Sequence, residues 1–254
     1  MSAAHPYWEV LDVLKRGRWV DLTHAFDGDI PHCEAFPPMQ RTTLYAHAPD
    51  TGTRGHGFLA HQYQLVGQWG THVDAGAHFV PGRRFLDEIP VTEMVLPLVV
   101  IDTSAACARD SDYCIGLADV QQWEERHGRI PPGAFVAMRS GWSQRWPSHA
   151  RMHNRDAAGI AHFPGWSAEV LRMLREERGA LAFGHETTDT DSGAAVSRGD
   201  VSLERYVLDT DAWQIELLAN LDQVPEAGAL VVASWPKPKA GAGFPARVFA
   251  IFPS

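Results

Sequence analysis

Seven short runs rich in Val, Ile, Leu, Phe and Trp, at residues 58–66, 96–102, 134–139, 180–184, 213–218, 229–235 and 247–252, constrain this chain more than any other feature. Most are bounded by Gly, Pro, Asp or Ser, the punctuation expected of β-strands. Helical spacing is sparser. Val10, Leu11, Val13 and Leu14 predict a short amphipathic opening helix that stops at Gly17, and Leu117, Val120 and Trp123 predict a second, closed by Gly128. A third starts at the N-cap Ser167, carries Val170, Leu171 and Leu174 on one face, and ends at Gly179. Strands outnumber helices and most are joined by long loops, so no regular βαβ alternation is expected. The reading is a mixed α/β fold with a large curved sheet, in a single domain over residues 1–254.

Composition narrows the function. A net charge of −9 leaves no basic stripe for nucleic acid or an anionic membrane. No run approaches the ~18 apolar residues of a membrane span. Cys33, Cys107 and Cys114 form neither a CxxC pair nor a disulfide framework, which fits a reducing cytoplasm.

The chemistry concentrates in residues 68–79, where Gly70, Thr71, Val73 and Gly76 argue for extended chain broken by tight bends. In extended chain His72 and Asp74 point to the same side, and both are good ligands for a divalent ion. Gln68 and His78 share their parity. The alternative for this HxDxxxH spacing is a hydrogen-bonded polar patch on a loop. Gly67, Gly70 and Gly76 would let backbone approach an ion or substrate closely, and Trp69 and Phe79 would supply apolar walls.

The segment from Gly70 to Phe79 resembles the HxxxHxDxPxHF motif of the cyclase family of metal-dependent hydrolases, which includes bacterial kynurenine formamidase and isatin hydrolase. The resemblance extends over nearly the whole chain, through Asp21–His24, His162–Gly165, Gly184–Asp191, Ile215–Pro225 and Gly243–Arg247. It implies a swivelling β/β/α fold and hydrolysis of a small cyclic or aryl amide, formamide or ester. By position, His72 and Asp74 match metal ligands, His78 the proton-transferring histidine and Glu216 the late carboxylate ligand. Phe36 falls where the family places an aromatic substrate contact. The chain departs from the motif at Gln68 and Glu204, which stand where the family has histidines, and at Gly76, which replaces proline. With imidazoles exchanged for oxygen donors, Mn2+ becomes at least as plausible as Zn2+.

Residues outside the motif have competing readings. Glu204 either assists the ion or pairs with Arg205 at the surface. Glu216, in an apolar strand, needs a cation, either a metal or an arginine such as Arg247. His185-Glu186 begins an HExxH pattern that fails at Asp189, leaving His185 as a stand-in for the missing imidazole or as a strand-end residue. His61, Trp142 and Trp146 read as core or rim residues.

The expectation is a metal-dependent hydrolase in which His72, Asp74 and Glu216, assisted by Gln68 and Glu204, hold Mn2+ or Zn2+, and His78 shuttles a proton. Phe36, Trp69 and Phe79 would contact the small-molecule substrate. Two other readings use the same parts: a metal-dependent lyase or dehydratase acting on a small cyclic acid, and a metal-containing binding protein without turnover. The resemblance also implies a homodimer or higher homo-oligomer, for which Tyr7, Trp8 and Phe26 are spare aromatics.

Overall fold

The computed structural model describes residues 5–47 and 57–254; the single domain expected over residues 1–254 includes stretches outside these. In chain order the strands are β1 (Arg18–Asp21), β2 (Gln40–Tyr45), β3 (Ala60–Gln64), β4 (His72–Asp74), β5 (Val95–Asp102), β6 (Phe135–Arg139), β7 (Ala182–His185), β8 (Trp213–Glu216), β9 (Ala229–Ser234), β10 (Gly243–Pro245) and β11 (Arg247–Phe252). The helices are α1 (Pro6–Arg16), α2 (Ser104–Arg109), α3 (Leu117–His127), α4 (His149–His153), α5 (Ala168–Arg172), α6 (Gly193–Val196) and α7 (Ser202–Asp209).

A strongly curled mixed sheet organises the molecule, in the order β1-β11-β9-β5-β6-β7-β8-β4-β10. The predicted strands are all present with shifted ends, except that 58–66 contracts to β3 and pairs with β2 in a separate ribbon. The expectation of no βαβ alternation fails for the centre of the sheet. There β5, β6, β7 and β8 run parallel, and the segments joining them carry α3, α5 and α7. The third predicted helix starts at Ser167, whose hydroxyl accepts from Val170 N, but widens into a π-turn over Met173–Glu177 before Gly179.

Alternation along the strands separates two cores. Leu98, Val100, Phe135, Ala137, Ala182, Trp213 and Ile215 face the inside of the curl. Val99, Ile101, Val136, Met138 and Phe183 face outward and are covered by Val120 and Trp123 of α3, Val170 and Leu171 of α5 and Val207 of α7. On β8, Trp213 and Ile215 go to the inner core, so Gln214 and Glu216 must point to the helix-covered face. On β4, Val73 joins the inner core and sends His72 and Asp74 the same way. The helix-covered face therefore carries a patch of polar side chains on neighbouring strands.

Among the described residues, no helix is long and apolar enough to cross a membrane, and the three cysteines are free thiols. The opening helix α1 forms as its spacing predicts, yet it buries no residue.

Candidate metal centre

Antiparallel pairing of β4 with β8 sets His72 opposite Glu216 and Asp74 opposite Gln214. Because these positions are two apart on each strand, all four side chains lie on one face. His72 Nδ1 is 2.8 Å from the carbonyl of Gly70. A carbonyl can only accept, so Nδ1 carries the hydrogen and Nε2 is left as the ligand-competent nitrogen. That Nε2 lies 3.3 Å from Asp74 Oδ2 and 3.5 Å from Glu216 Oε2. The three residues are buried, and their ligand atoms lie within 4.8 Å of one another.

They open into a cavity of about 410 Å³ that Gln68, His78 and Glu204 also line. Gln68 donates its amide N–H to Asp74 Oδ1 at 3.1 Å, and its nitrogen is 3.5 Å from His78 Nδ1. A close backbone approach makes room for this amide: a Cβ on Gly243 would stand 2.1 Å from Gln68 Nε2. Glu204 is not the surface partner of Arg205. It is buried on α7, while Arg205 donates to the Phe79 carbonyl. Asp191 turns Glu204 inward by accepting the backbone N–H groups of Leu203 and Glu204. Nor does Arg247 neutralise Glu216, because its guanidinium pairs with Asp21 at 2.7 Å on the exposed edge of the sheet.

Two residues that the sequence reading missed support the site, Gln214 from behind it and Asp189 on its wall. Gln214 donates to both Glu204 Oε1 and Glu216 Oε1 at 3.1 Å and accepts from the Thr190 hydroxyl. Its parity with Glu216 was the available signal. Asp189 lines the cavity, and burial, with a contribution from Asp191, pushes its carboxyl up to about 7. Burial and the neighbouring carboxylates also hold Glu204 and Glu216 well above the usual carboxylate range. Burial opposes charge on His72 and Asp74 as well, but their mutual attraction outweighs it, raising the imidazole and lowering the carboxyl.

His185 is 3.4 Å from Glu216 through Nε2, while its Nδ1 accepts from the Trp166 indole at 3.3 Å. The hydrogen must then sit on Nε2, facing Glu216, so the idea that His185 replaces the missing imidazole gives way to a role beside the carboxylate. Burial drives its pKa down to about 3, keeping it neutral. The following residue, Glu186, is buried structurally: it accepts from Ser140 N and Oγ, Gly141 N, Trp142 N and Ser143 Oγ.

Of the three expected apolar contacts, Phe36 and Phe79 line the cavity. Trp69 does not. It is fully buried behind the wall, packed with Ile30 and Met39, and its indole donates to the Asp27 carbonyl. Leu217 also forms part of the wall, with a left-handed φ of +55° held by its N–H on Thr187 and by the Thr71 hydroxyl on its carbonyl.

The donor set fits a divalent cation. Asp74, Asp189, Glu204 and Glu216 converge on the cavity, and among its described lining residues there is no Lys or Arg. Asp74 Oδ2 is buried without a hydrogen-bond partner. Carboxylates concentrated in this way are costly unless a cation or protons neutralise them. His72, Asp74 and Glu216 could hold the cation directly.

The chain is similar to known proteins along most of its length. The family model "Cyclase" matches residues 20–192. Isatin hydrolase of Roseibium aggregatum is 31% identical over 242 residues, covering 92% of this chain and 91% of that protein. The solved structure of isatin hydrolase A from Labrenzia aggregata bound to benzyl benzoate is 34% identical, with a TM-score of 0.88 over 98% of this chain and 100% of that one. An isatin hydrolase bound to the product analogue thioisatinate is 26% identical and aligns over the whole of both chains with a TM-score of 0.90.

Proposed function

The chain belongs to the cyclase family as an isatin hydrolase-like, metal-dependent hydrolase, and on that premise we propose that it opens a small aryl-fused cyclic amide, with isatin itself the first substrate to test. The observation that carries the site assignment is the convergence of three buried carboxylates, Asp74, Glu204 and Glu216, with half-buried Asp189 and His72, on a cavity that has no Lys or Arg among its described lining residues. Phe36, Phe79 and Leu217 supply apolar walls against which an aromatic ring can lie.

His72, Asp74 and Glu216 would be the ligands, with Gln68 fixing the Asp74 carboxylate and Glu204 adding charge from α7. One imidazole among several oxygen donors favours Mn2+ over Zn2+. When bound, such an ion supplies Lewis acidity towards the substrate carbonyl and lowers the pKa of water. The remaining work falls to this chain's own groups. His78, whose Nδ1 is directed at the Gln68 amide beside Asp74, accepts the proton of the attacking water and delivers it to the departing nitrogen. A C–O bond forms, the amide C–N bond breaks, and the products are a carboxylate and an amine on one ring. The apolar walls orient the ring and limit access of bulk water.

The protein is proposed to act as a homodimer or higher homo-oligomer in the cytoplasm. Tyr7, 88% exposed, and Trp8, 67% exposed, stand on α1 beside exposed Val10, Leu11 and Val13. An apolar helix face of this kind suits burial against a second copy. Light scattering that finds a monomer at micromolar concentration would refute this.

The test of the reaction is hydrolysis of isatin and of formyl anilides by protein stripped with a chelator and reloaded. Turnover should vanish on stripping and return with manganese at least as well as with zinc. Full activity in metal-free protein would overturn the proposal, as would metal-loaded protein that turns over no cyclic or aryl amide.

A further inference from the structure

A second cluster of ligating side chains lies outside this centre. Glu34, His149 and His153 each offer one ligand atom, and these atoms lie within 4.8 Å of one another. His149 and His153 are the first and last residues of α4, one turn apart, so both imidazoles leave the helix on the same side. Their rings stack at 4.1 Å with 23° between planes. The turn is held at both ends: the Ser148 hydroxyl accepts from Arg151 N, and the chain leaves through Asn154 with a left-handed φ of +47°.

The tautomer of the buried member is fixed. His153 Nδ1 is 3.1 Å from the His149 carbonyl, so this nitrogen carries the hydrogen and Nε2 keeps its lone pair. A backbone carbonyl behind the ring is the usual orienting partner of a metal-bound histidine. The carboxylate comes from a distant part of the chain. Arg155 holds Glu34 through Oε2 at 2.8 Å, which fixes the carboxylate next to the imidazoles while leaving lone pairs for a further partner. A small cavity of about 150 Å³, lined in part by Glu34, His153 and Cys33, gives access.

We propose that Glu34, His149 and His153 form a second divalent-metal site, of the zinc class, separate from the centre at His72. Two imidazoles at i and i+4 with one carboxylate suit zinc, whereas one imidazole among several carboxylates suits a harder ion. The site also touches the substrate cavity indirectly. Glu34 lies between Cys33 and Phe36, both on the cavity wall, and His149 meets the cavity residue His32 edge-on at 5.4 Å. An ion bridging Glu34 to α4 therefore ties down the loop that presents Phe36 to substrate.

The test is equilibrium dialysis of the full chain against micromolar zinc, followed by metal analysis, so that the readout is stoichiometry and not turnover. Wild type should bind two equivalents per chain. The double variant His149→Ala/His153→Ala should bind one, and Glu34→Gln should weaken the second equivalent by at least about tenfold. Glu34 is exposed, so this variant stays informative if the double variant misfolds, which circular dichroism would reveal. Asp74→Asn, which addresses only the buried centre, should keep the equivalent that the double variant loses. Two equivalents in the folded double variant would overturn the proposal, as would a single equivalent in wild type that Asp74→Asn abolishes. Failure of the amidase assay with two zinc ions bound would count against the proposed reaction and leave this site standing.

Discussion

Gly243→Ala should damage the candidate metal centre without removing any of its side chains. Gly243 pairs with Asp74 across β10 and β4, and a Cβ there would stand 2.1 Å from Gln68 Nε2 and 2.8 Å from Asp74 Oδ1, where ordinary contact begins at 3.4 Å. The amide must retreat by roughly 1 Å or more in a packed interior that yields little. Its hydrogen bond to Asp74 is already 3.1 Å long, so the retreat breaks it. Asp74 must turn as well. Overpacking of this kind costs about 1–3 kcal/mol of stability. Loss of a group that orients a ligand weakens a metal by about 10- to 100-fold.

Thermal melts in chelator report the first effect, and calorimetric titration of stripped protein with manganese reports the second. Adding Gln68→Ala to Gly243→Ala removes the obstructing amide. The pair should therefore regain stability, with a coupling of about 1 kcal/mol or more, while manganese affinity stays low. Gly243→Ala protein that binds manganese as tightly as wild type would refute the idea that Gln68 steadies Asp74 for an ion. Recovery of affinity along with stability in the double variant would refute it equally.

Three further outcomes follow from the geometry. His72→Ala should lose metal and activity together, whereas His78→Ala should keep its metal and lose turnover by about 10²- to 10⁴-fold; metal analysis beside kinetics separates the two, and a metal-free His78→Ala protein would make His78 a ligand. Glu186→Ala strands the donors of Ser140, Gly141, Trp142 and Ser143 and should cost about 3–5 kcal/mol in urea unfolding, with an unchanged midpoint counting against this anchoring role. His162 hydrogen-bonds Asp112 at 2.7 Å and faces Asp156 at 3.5 Å, and the Asp112 bond raises its pKa above 6.5. A raised folded-state value means that its contribution is complete below pH 6.5 and is lost as pH rises through the higher folded value. The melting temperature of wild type should therefore fall towards that of His162→Ala across this window, and a difference that does not vary with pH would sink the assignment.

How much of the site could be read from the sequence depends on how far parity reaches. Alternation sent Gln68, His72 and Asp74 to one side, and the cavity receives all three despite the intervening Gly70. The same rule, applied without exception, would have excluded Trp69 as a substrate wall, because it sits between Gln68 and Gly70 and so points away, as Val73 does into the inner core. The glycines made the segment look loose enough to ignore this, yet pairing with β8 and β10 keeps β4 regular. Parity stops at Gly76, where a 3-10 turn begins, so His78 and Phe79 both reach the cavity although they are adjacent in sequence. Glu204 was ambiguous for a different reason. Its neighbour Arg205 offered a surface partner, and nothing local to α7 says which face is covered. That is decided by Asp191, whose carboxylate takes the N–H groups of Leu203 and Glu204 in the first turn of the helix and sets its rotation. The parallel centre of the sheet escaped for a related reason. Its crossover helices are short, and the one after Ser167 breaks into a π-turn, so periodicity in the sequence understates how much of the sheet face they cover. Trp69 and Gln214 were thus within reach of local spacing, whereas the misses at Glu204 and at the sheet centre occur where long-range packing fixes the orientation of a side chain.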